Sequence, residues 1–276
     1  MKKLYHYCSL DSLYKIISNN SLRLSDVRKS NDKNEIILLF NEYVKAHDNF
    51  MSKWNVKEQI NNTTYFSISF SKLYDNDYLW RTYADEGVCI EFDREKIEEM
   101  FDSIRLGRPK DFDKTIPNAC RFIKIKEIEY AKKDELKKMI LDYEEDHKEE
   151  SSFGYVLFDS PFVKDKYYEK EGELRALAMV TSDYDIVDSL EYVDSSNQLK
   201  EVIPFEMCNN KFNNNVLCFR VKLLEDTIKS ITISRNCKES RDDIAKTVGS
   251  LGARNIIIKY SKYHNDYNED DKGLFI

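Results

Sequence analysis

Tyr65-Phe66-Ser67-Ile68-Ser69-Phe70-Ser71 is the stretch on which the fold reading turns. Aromatic and apolar residues alternate there with serines, the two-residue period of a β-strand with one buried face. Ser67, Ser69 and Ser71 then fall on one side. A row of hydroxyls along a cleft can brace a ribose, a phosphate or a catalytic side chain. A polar face turned to water is the plainer account of the same pattern.

Working outward, strand patterns recur at Leu4–Tyr7, Ser21–Ser25, Val88–Phe92, Arg121–Tyr130, Glu173–Val180, Val202–Glu206, Val216–Leu223, Ile228–Ser234 and Asn255–Tyr260. Helical spacing follows Ser9 or Asp11 (Leu13, Ile16, Ile17), and helices are expected at 35–47, 78–84 and 94–101, the last capped by Asp93. Ser240, with Asp243 three residues on, opens another. Helices interrupt the strands irregularly, so the expectation is α+β, with mixed or antiparallel sheets and flanking helices, rather than a βαβ series. Residues 102–119 carry two of the four prolines and read as a loop. The densely charged 131–150 reads as a solvated helix, followed by a second helix over Phe153–Lys166. Together these form a charged helical insertion near 131–166 in a single domain spanning 1–276, since no repeat or linker divides the chain.

Composition narrows the classes. Hydrophobic residues are 41% of the chain and charged residues 34%, enough for a packed core under a solvated surface. A net charge of −7 supplies no global basic field, which disfavours nucleic acid as a partner. No apolar run approaches the roughly 18–20 residues of a membrane helix. The opening Met1-Lys2-Lys3-Leu4-Tyr5-His6 lacks a leader's apolar stretch, so a cytoplasmic protein without membrane contact is expected. The six cysteines form no C-x-x-C pair, and Cys89 and Cys218 sit in apolar runs that suit buried reduced thiols. No G-x-G-x-x-G follows a strand and no P-loop motif occurs, which removes two nucleotide cradles. No G-x-S-x-G or H-E-x-x-H occurs either. Asn31-Asp32-x-Asn34-Glu35 suits a helix cap better than a metal loop, and no metal is expected.

Three further constellations can carry chemistry. His6, between Tyr5 and Tyr7, can donate one ring N–H to a ligand while a neighbour fixes the other nitrogen, or it can be a satisfied histidine of a strand. Glu169-x-Glu171-x-Glu173-x-Arg175 shares one face if extended, and crowded carboxylates there can leave one with a raised pKa, poised as acid or base. Arg175 would offset part of that charge, and a solvated charge run is the bland alternative. Trp80 and Tyr83 share a helical face, Trp80 suiting the core and Tyr83 either core or a stacking platform.

These pieces resemble a bacterial family, domain of unknown function family 2971. The resemblance rests on Leu4-Tyr5-His6-Tyr7-Cys8-Ser9, Leu22-Arg23-Leu24-Ser25, Asn31-Asp32-x-x-Glu35 and Ser69-Phe70-Ser71. It continues through Leu79-Trp80-x-x-Tyr83-Ala84, Gly87-Val88-Cys89-Ile90-Glu91-Phe92, Glu171-x-Glu173-x-Arg175 and the closing Ile231-Thr232-Ile233 and Ile256–Ser261 segments. The chain departs from it where Asp85-Glu86 replaces a His-containing turn, at Ser234 for glycine and at Lys33 for proline.

A more distant resemblance is to ADP-ribosyltransferase folds, in the order basic residue, serine, glutamate. It implies NAD as substrate and a transferase or NAD-hydrolysing activity, in the manner of a toxin or phage-defence effector. By that analogy His6 would hold the nicotinamide ribose, Ser69 with Ser71 would brace the site, Tyr83 would stack on nicotinamide and Arg175 would balance charge. Glu173 would bind the ribose 2′-hydroxyl and stabilise an oxocarbenium-like transition state, and Glu171 would activate a macromolecular acceptor. The competing expectation is a non-catalytic ligand-binding or protein-interaction module, with the glutamate run exposed and far from His6. A metal nuclease joining Asp32, Glu35 and Glu173 is a third.

Overall fold

The computed structural model describes residues 2–27, 36–46, 63–106, 121–146, 156–181, 189–193, 199–209 and 215–276. In chain order the elements are β1 (Lys3–Cys8), α1 (Leu10–Asn19), β2 (Ser21–Asp26), α2 (Leu38–Ala46), β3 (Thr63–Ser71), α3 (Asp77–Tyr83), β4 (Val88–Asp93), α4 (Arg94–Asp102), β5 (Ile104–Leu106), β6 (Arg121–Glu127) and β7 (Glu129–Ala131). There follow α5 (Lys133–Asp146), β8 (Val163–Asp165), β9 (Glu173–Thr181), β10 (Ser189–Val193), β11 (Leu199–Pro204), β12 (Glu206–Asn209), β13 (Asn215–Lys222), β14 (Ile228–Ile233), α6 (Arg241–Ser250), β15 (Ile257–Tyr260) and β16 (Leu274–Phe275).

An 11-stranded mixed sheet dominates, in the order β12-β13-β2-β3-β1-β4-β14-β15-β16, with β9 on β3 and β6 on β9. Its pairings are antiparallel except β14 with β15, which run parallel around α6. β3 is the strand on which everything leans. Along one edge it pairs with β9 over its whole length, from Thr63↔Thr181 to Ser71↔Glu173. The other edge is shared. β2 takes Phe66 and Ser67, β1 takes Ser71, and Ile68 to Phe70 pair with neither. β1 turns away to pair with β4 as far as Cys8↔Val88, and β2 turns away to pair with β13. The sheet therefore opens between β1 and β2, with Ser69 at the base of the opening.

The two faces differ as alternation requires. Leu4, Phe66, Ile68, Phe70, Leu174, Ala176 and Ala178 point into the main core with Leu13, Ile16 and Ile17 of α1, Ile97 and Met100 of α4, and Ile244 and Val248 of α6. On the opposite face Tyr5, Tyr7 and Cys89 pack against Leu79 and Trp80 of α3. A separate core joins Leu39, Phe40 and Tyr43 of α2 to Leu136 and Ile140 of α5. The densely charged helix thus buries one stripe rather than being wholly solvated.

The expected caps form. Ser9 accepts from the Ser12 amide, Asp93 from Glu95 and Lys96, and Ser240 from Asp243. Five expectations need correction. The helix over Phe153–Lys166 is replaced. Residues 156–159 are helical, then come a 3-10 turn Ser160–Phe162, the strand β8 and a 3-10 segment Lys166–Glu171. Pro161 offers no amide to continue a helix, and β8 gains a parallel partner in β7 instead. The strand expected over Arg121–Tyr130 is two, β6 and β7, on different sheets, and the strand at Val202–Glu206 also divides, at Phe205. The 102–119 loop contains β5, paired with β10. Cys218, expected as a reduced thiol, is bonded to Cys208 across β12 and β13, while Cys8, Cys89 and Cys237 are free. The Asn31–Glu35 cap and Cys120 lie outside the described residues. Among the described residues no helix is long and apolar enough to cross a membrane.

Candidate functional site

Register puts the serine row of β3 opposite the start of β9. Ser71 faces Glu173 and Ser69 faces Arg175, all on the face away from the main core. Ser69 Oγ donates to Glu173 Oε1 at 2.6 Å, and Arg175 Nε donates to the same oxygen at 2.8 Å. The other Glu173 oxygen lies 2.6 Å from Lys164 Nζ, which also reaches Glu171 Oε2 at 2.8 Å. The phenol of Tyr83 donates to the second Glu171 oxygen.

Local structure explains why these groups meet. Glu171 ends a 3-10 segment, and Gly172 at φ 51° reverses the chain into β9, so Glu171 and Glu173 approach from a turn and a strand rather than along one extended face. Ser71 holds that turn by donating to the Glu171 carbonyl at 2.6 Å, and the Glu173 amide donates to the Tyr130 hydroxyl at 2.8 Å. Arg175 Nη1 bonds the Pro161 carbonyl at 2.7 Å. Gly87 lets the α3–β4 turn close on β1, since a Cβ there would stand 2.1 Å from the Cys8 carbonyl.

Glu171 (4% exposed), Glu173 (3%), Arg175 (0%) and Lys164 (7%) form a buried group of two anions and two cations. Burial alone would raise the pKa of Glu173. The Arg175 and Lys164 charges, with hydrogen bonds from Lys164 and Ser69, overturn that and hold it at about 2. The raised pKa expected from crowding is therefore not what forms at Glu173. Two cations stand where mutual repulsion was to act, and Glu173 is an anion at neutral pH. The Tyr83 hydroxyl is pushed up by burial and by its bond to Glu171, so it stays a proton donor.

The cluster reaches solvent through Ser69, which is exposed, and through Tyr83, which is 47% exposed. Beside Tyr83 a depression of about 390 Å³ is lined by Ser9, Asp11, the Ala84–Gly87 turn and Glu239. Trp80 is core, 4% exposed, with Nε1 on Asp75 at 2.7 Å and its ring edge-on to Tyr7.

His6 joins the site indirectly. By alternation its side chain leaves β1 on the Leu4 side of the sheet, and its ring lies 6.0 Å from that of Phe70. Its Nδ1 lies 2.9 Å from the Ser69 carbonyl, which accepts only, so Nδ1 carries the hydrogen. Burial pushes its pKa down, against the opposing effect of that bond. The imidazole is thus a neutral brace on the unpaired stretch of β3. His6, Ser69 and Glu173 form one chain of contacts, and Ser71, Tyr83, Glu171 and Arg175 adjoin it. Lys164 is the member that the sequence reading missed. Its one signal is a lysine directly after the apolar run Pro161-Phe162-Val163.

Among the described residues the group able to offer three metal-binding atoms is Glu206, Cys208 and Cys218, where the two sulfurs are already bonded to each other. Asp32 and Glu35 lie outside the described residues.

Residues 79–176 match the model of a family described as protein of unknown function, DUF2971. The family resemblance read from the sequence is borne out over that span, which holds Tyr83, Lys164, Glu171, Glu173 and Arg175. No curated protein and no solved structure matches the chain.

Proposed function

We propose that the chain cleaves the bond between nicotinamide and ribose in NAD, passing ADP-ribose to a macromolecular acceptor or to water. The observation carrying this reading is the bond from Ser69 to a buried, ionised Glu173 at the base of a sheet opening, 2.6 Å long. An anion held ready where a ribosyl cation develops lowers the barrier without reorganising. In this reading the C1′–N1 bond breaks and its electron pair leaves with nicotinamide. Glu173, ordered by Ser69 and Arg175, faces the 2′-hydroxyl and the cationic C1′. The acceptor oxygen or nitrogen bonds to C1′ and gives its proton to Glu171. Tyr83 stacks on the nicotinamide ring, and His6 acts by fixing β3 rather than by touching the sugar. The chain would work in the cytoplasm, and a toxin or phage-defence effector is the role such chemistry suits.

Purified protein given NAD should release nicotinamide, and Glu173→Gln should slow release about 10²–10³-fold, the cost of removing one transition-state electrostatic partner. No release from wild type, with Glu171→Gln and Glu173→Gln indistinguishable from it, overturns the reading. One observation favours a second reading. The two carboxylates are already matched by Lys164 and Arg175, as in a structural tie. A non-catalytic binding module would then bind NAD without consuming it.

A further inference from the structure

One end of the main sheet carries a second cluster of reactive side chains. β12 closes the strand order there and pairs with β13. Register sets Glu206 opposite Cys218 and Cys208 opposite Val216. Glu206 and Cys208 are two residues apart, so the carboxylate and both cysteines share one face. One ligand atom from each lies within 4.8 Å of the others. Cys208, Val216 and Cys218 form a small buried core of their own. The Glu206 side chain is partly exposed, which gives the cluster a way in from solvent.

The two sulfurs are bonded to each other in this structure. A bonded sulfur has no hydrogen to donate, yet Cys218 Sγ stands 3.7 Å from Glu206 Oε1. Two atoms bearing lone pairs are thus held side by side. A tetrahedral zinc ion holds a thiolate sulfur and a carboxylate oxygen about 3.6 Å apart, from bonds of ~2.3 Å and ~2.1 Å. The spacing of this pair is therefore already that of two ligands on one ion. Arg220 Nε lies 2.5 Å from the same Glu206 oxygen and orients the carboxylate. Two thiolates and a carboxylate around a divalent cation leave one negative charge, which the Arg220 guanidinium offsets. A hydrogen bond of this kind to a ligating carboxylate is what outer partners of metal centres supply.

We infer that Glu206, Cys208 and Cys218 form a site for a thiophilic divalent cation, zinc above all, that opens when the disulfide is reduced. Where thiols are kept reduced, a cysteine pair is more often a metal-ligand set than a lasting staple. In the reduction a dithiol gives two electrons and two protons, leaves as a disulfide itself, and turns the Cys208–Cys218 bond into two thiols. The cation then takes a lone pair from each sulfur, and both thiol protons pass to solvent. Sulfur donors select zinc over magnesium or calcium, which want oxygen alone. The ion ties β12 to β13 in place of the covalent bond. The site is independent of the NAD reading.

The full chain, stripped of metal and reduced with a phosphine, is titrated with cobalt and then with zinc. Reduction should expose two more thiols, counted after unfolding. One equivalent of cobalt should then give a thiolate-to-metal charge-transfer band with the strong visible bands of a tetrahedral centre, and zinc should displace it. The oxidised chain should give neither, and Cys237→Ser should match wild type. Cys208→Ser/Cys218→Ser should abolish the band. Arg220→Gln keeps every ligand and should weaken zinc about 10–100-fold, the cost of an outer partner, and Glu206→Ala should weaken it further. Reduced wild type that takes up neither metal overturns the site, as does a band that survives loss of both cysteines. Glu206→Ala binding zinc as tightly as wild type overturns the three-ligand set, and this variant retains both sulfurs whatever becomes of the double variant's fold. Equal cobalt binding by the oxidised chain, or a disulfide that the phosphine leaves intact in the folded chain, overturns the dependence on reduction.

Discussion

A carboxylate sealed from water stays charged only if its neighbours outweigh the lost hydration, and Glu173 shows which neighbours do so. Its folded pKa of about 2 lies below the ordinary glutamate value of 4.5. Stability from this group is therefore complete above about pH 4.5 and is lost as pH falls towards 2, an effect of order 3 kcal/mol by linkage. His6, also lowered, is held neutral, so folding begins to lose its contribution as pH falls below the imidazole's ordinary 6.5. Urea unfolding at pH 7, 4.5 and 3 should show stability declining in that order. A Glu173→Gln protein whose stability falls just as steeply between pH 4.5 and 3 contradicts the assignment. Lys164→Met leaves two buried carboxylates facing one arginine and should cost about 3–5 kcal/mol, read as the shift in urea midpoint. A loss under 1 kcal/mol means that the pairing with Lys164 is not what holds them. At this scale the sequence exposed the acidic members of the site, because Glu171-x-Glu173-x-Arg175 is a local spacing. Lys164 comes from a different element, and no spacing tied it to the glutamates. The pKa direction was misjudged for the same reason, since the deciding cations were not countable without the fold.

Among elements, those with alternation or caps were readable and those made by turns were not. β3, β9, α1 and α6 follow directly from their patterns, because burial of one face demands a period and an open helix end demands an acceptor. The stretch from 156 to 172 carries a helix-like charge pattern, yet Pro161 and the left-handed Gly172 override it. Gly172→Ala tests how much the site depends on that turn. Its φ of 51° disfavours a side chain, and a Cβ would stand 3.0 Å from Leu73 Cγ. The substitution should cost about 1–2 kcal/mol in unfolding free energy and loosen Glu171 from Tyr83. Thermal unfolding measures the first, and the Tyr83 ultraviolet titration, which should move down towards an ordinary phenol, measures the second. A variant matching wild type in both shows that the turn is not what places Glu171.

For the whole molecule, fold class was legible because many strands broken by irregular helices leave few alternatives, while the opening in the sheet was not. No residue pattern states that β1 and β2 share an edge of β3. That follows from which strands find partners elsewhere, a long-range outcome. Hydrogen exchange should find the slowest amides in β3 and β9, paired with each other along nine rungs, and faster exchange at Ile68–Phe70 than at their β9 neighbours. Uniform protection along both strands would mean that the opening closes in solution. Each wall of that opening is held in register by a strand beyond it, β1 by six rungs to β4 and β2 by five to β13. Sliding either wall to narrow the gap would break those rungs. Under the proposed NAD reading the gap would act as a gauge, sorting entrants by thickness before any side chain reads their chemistry.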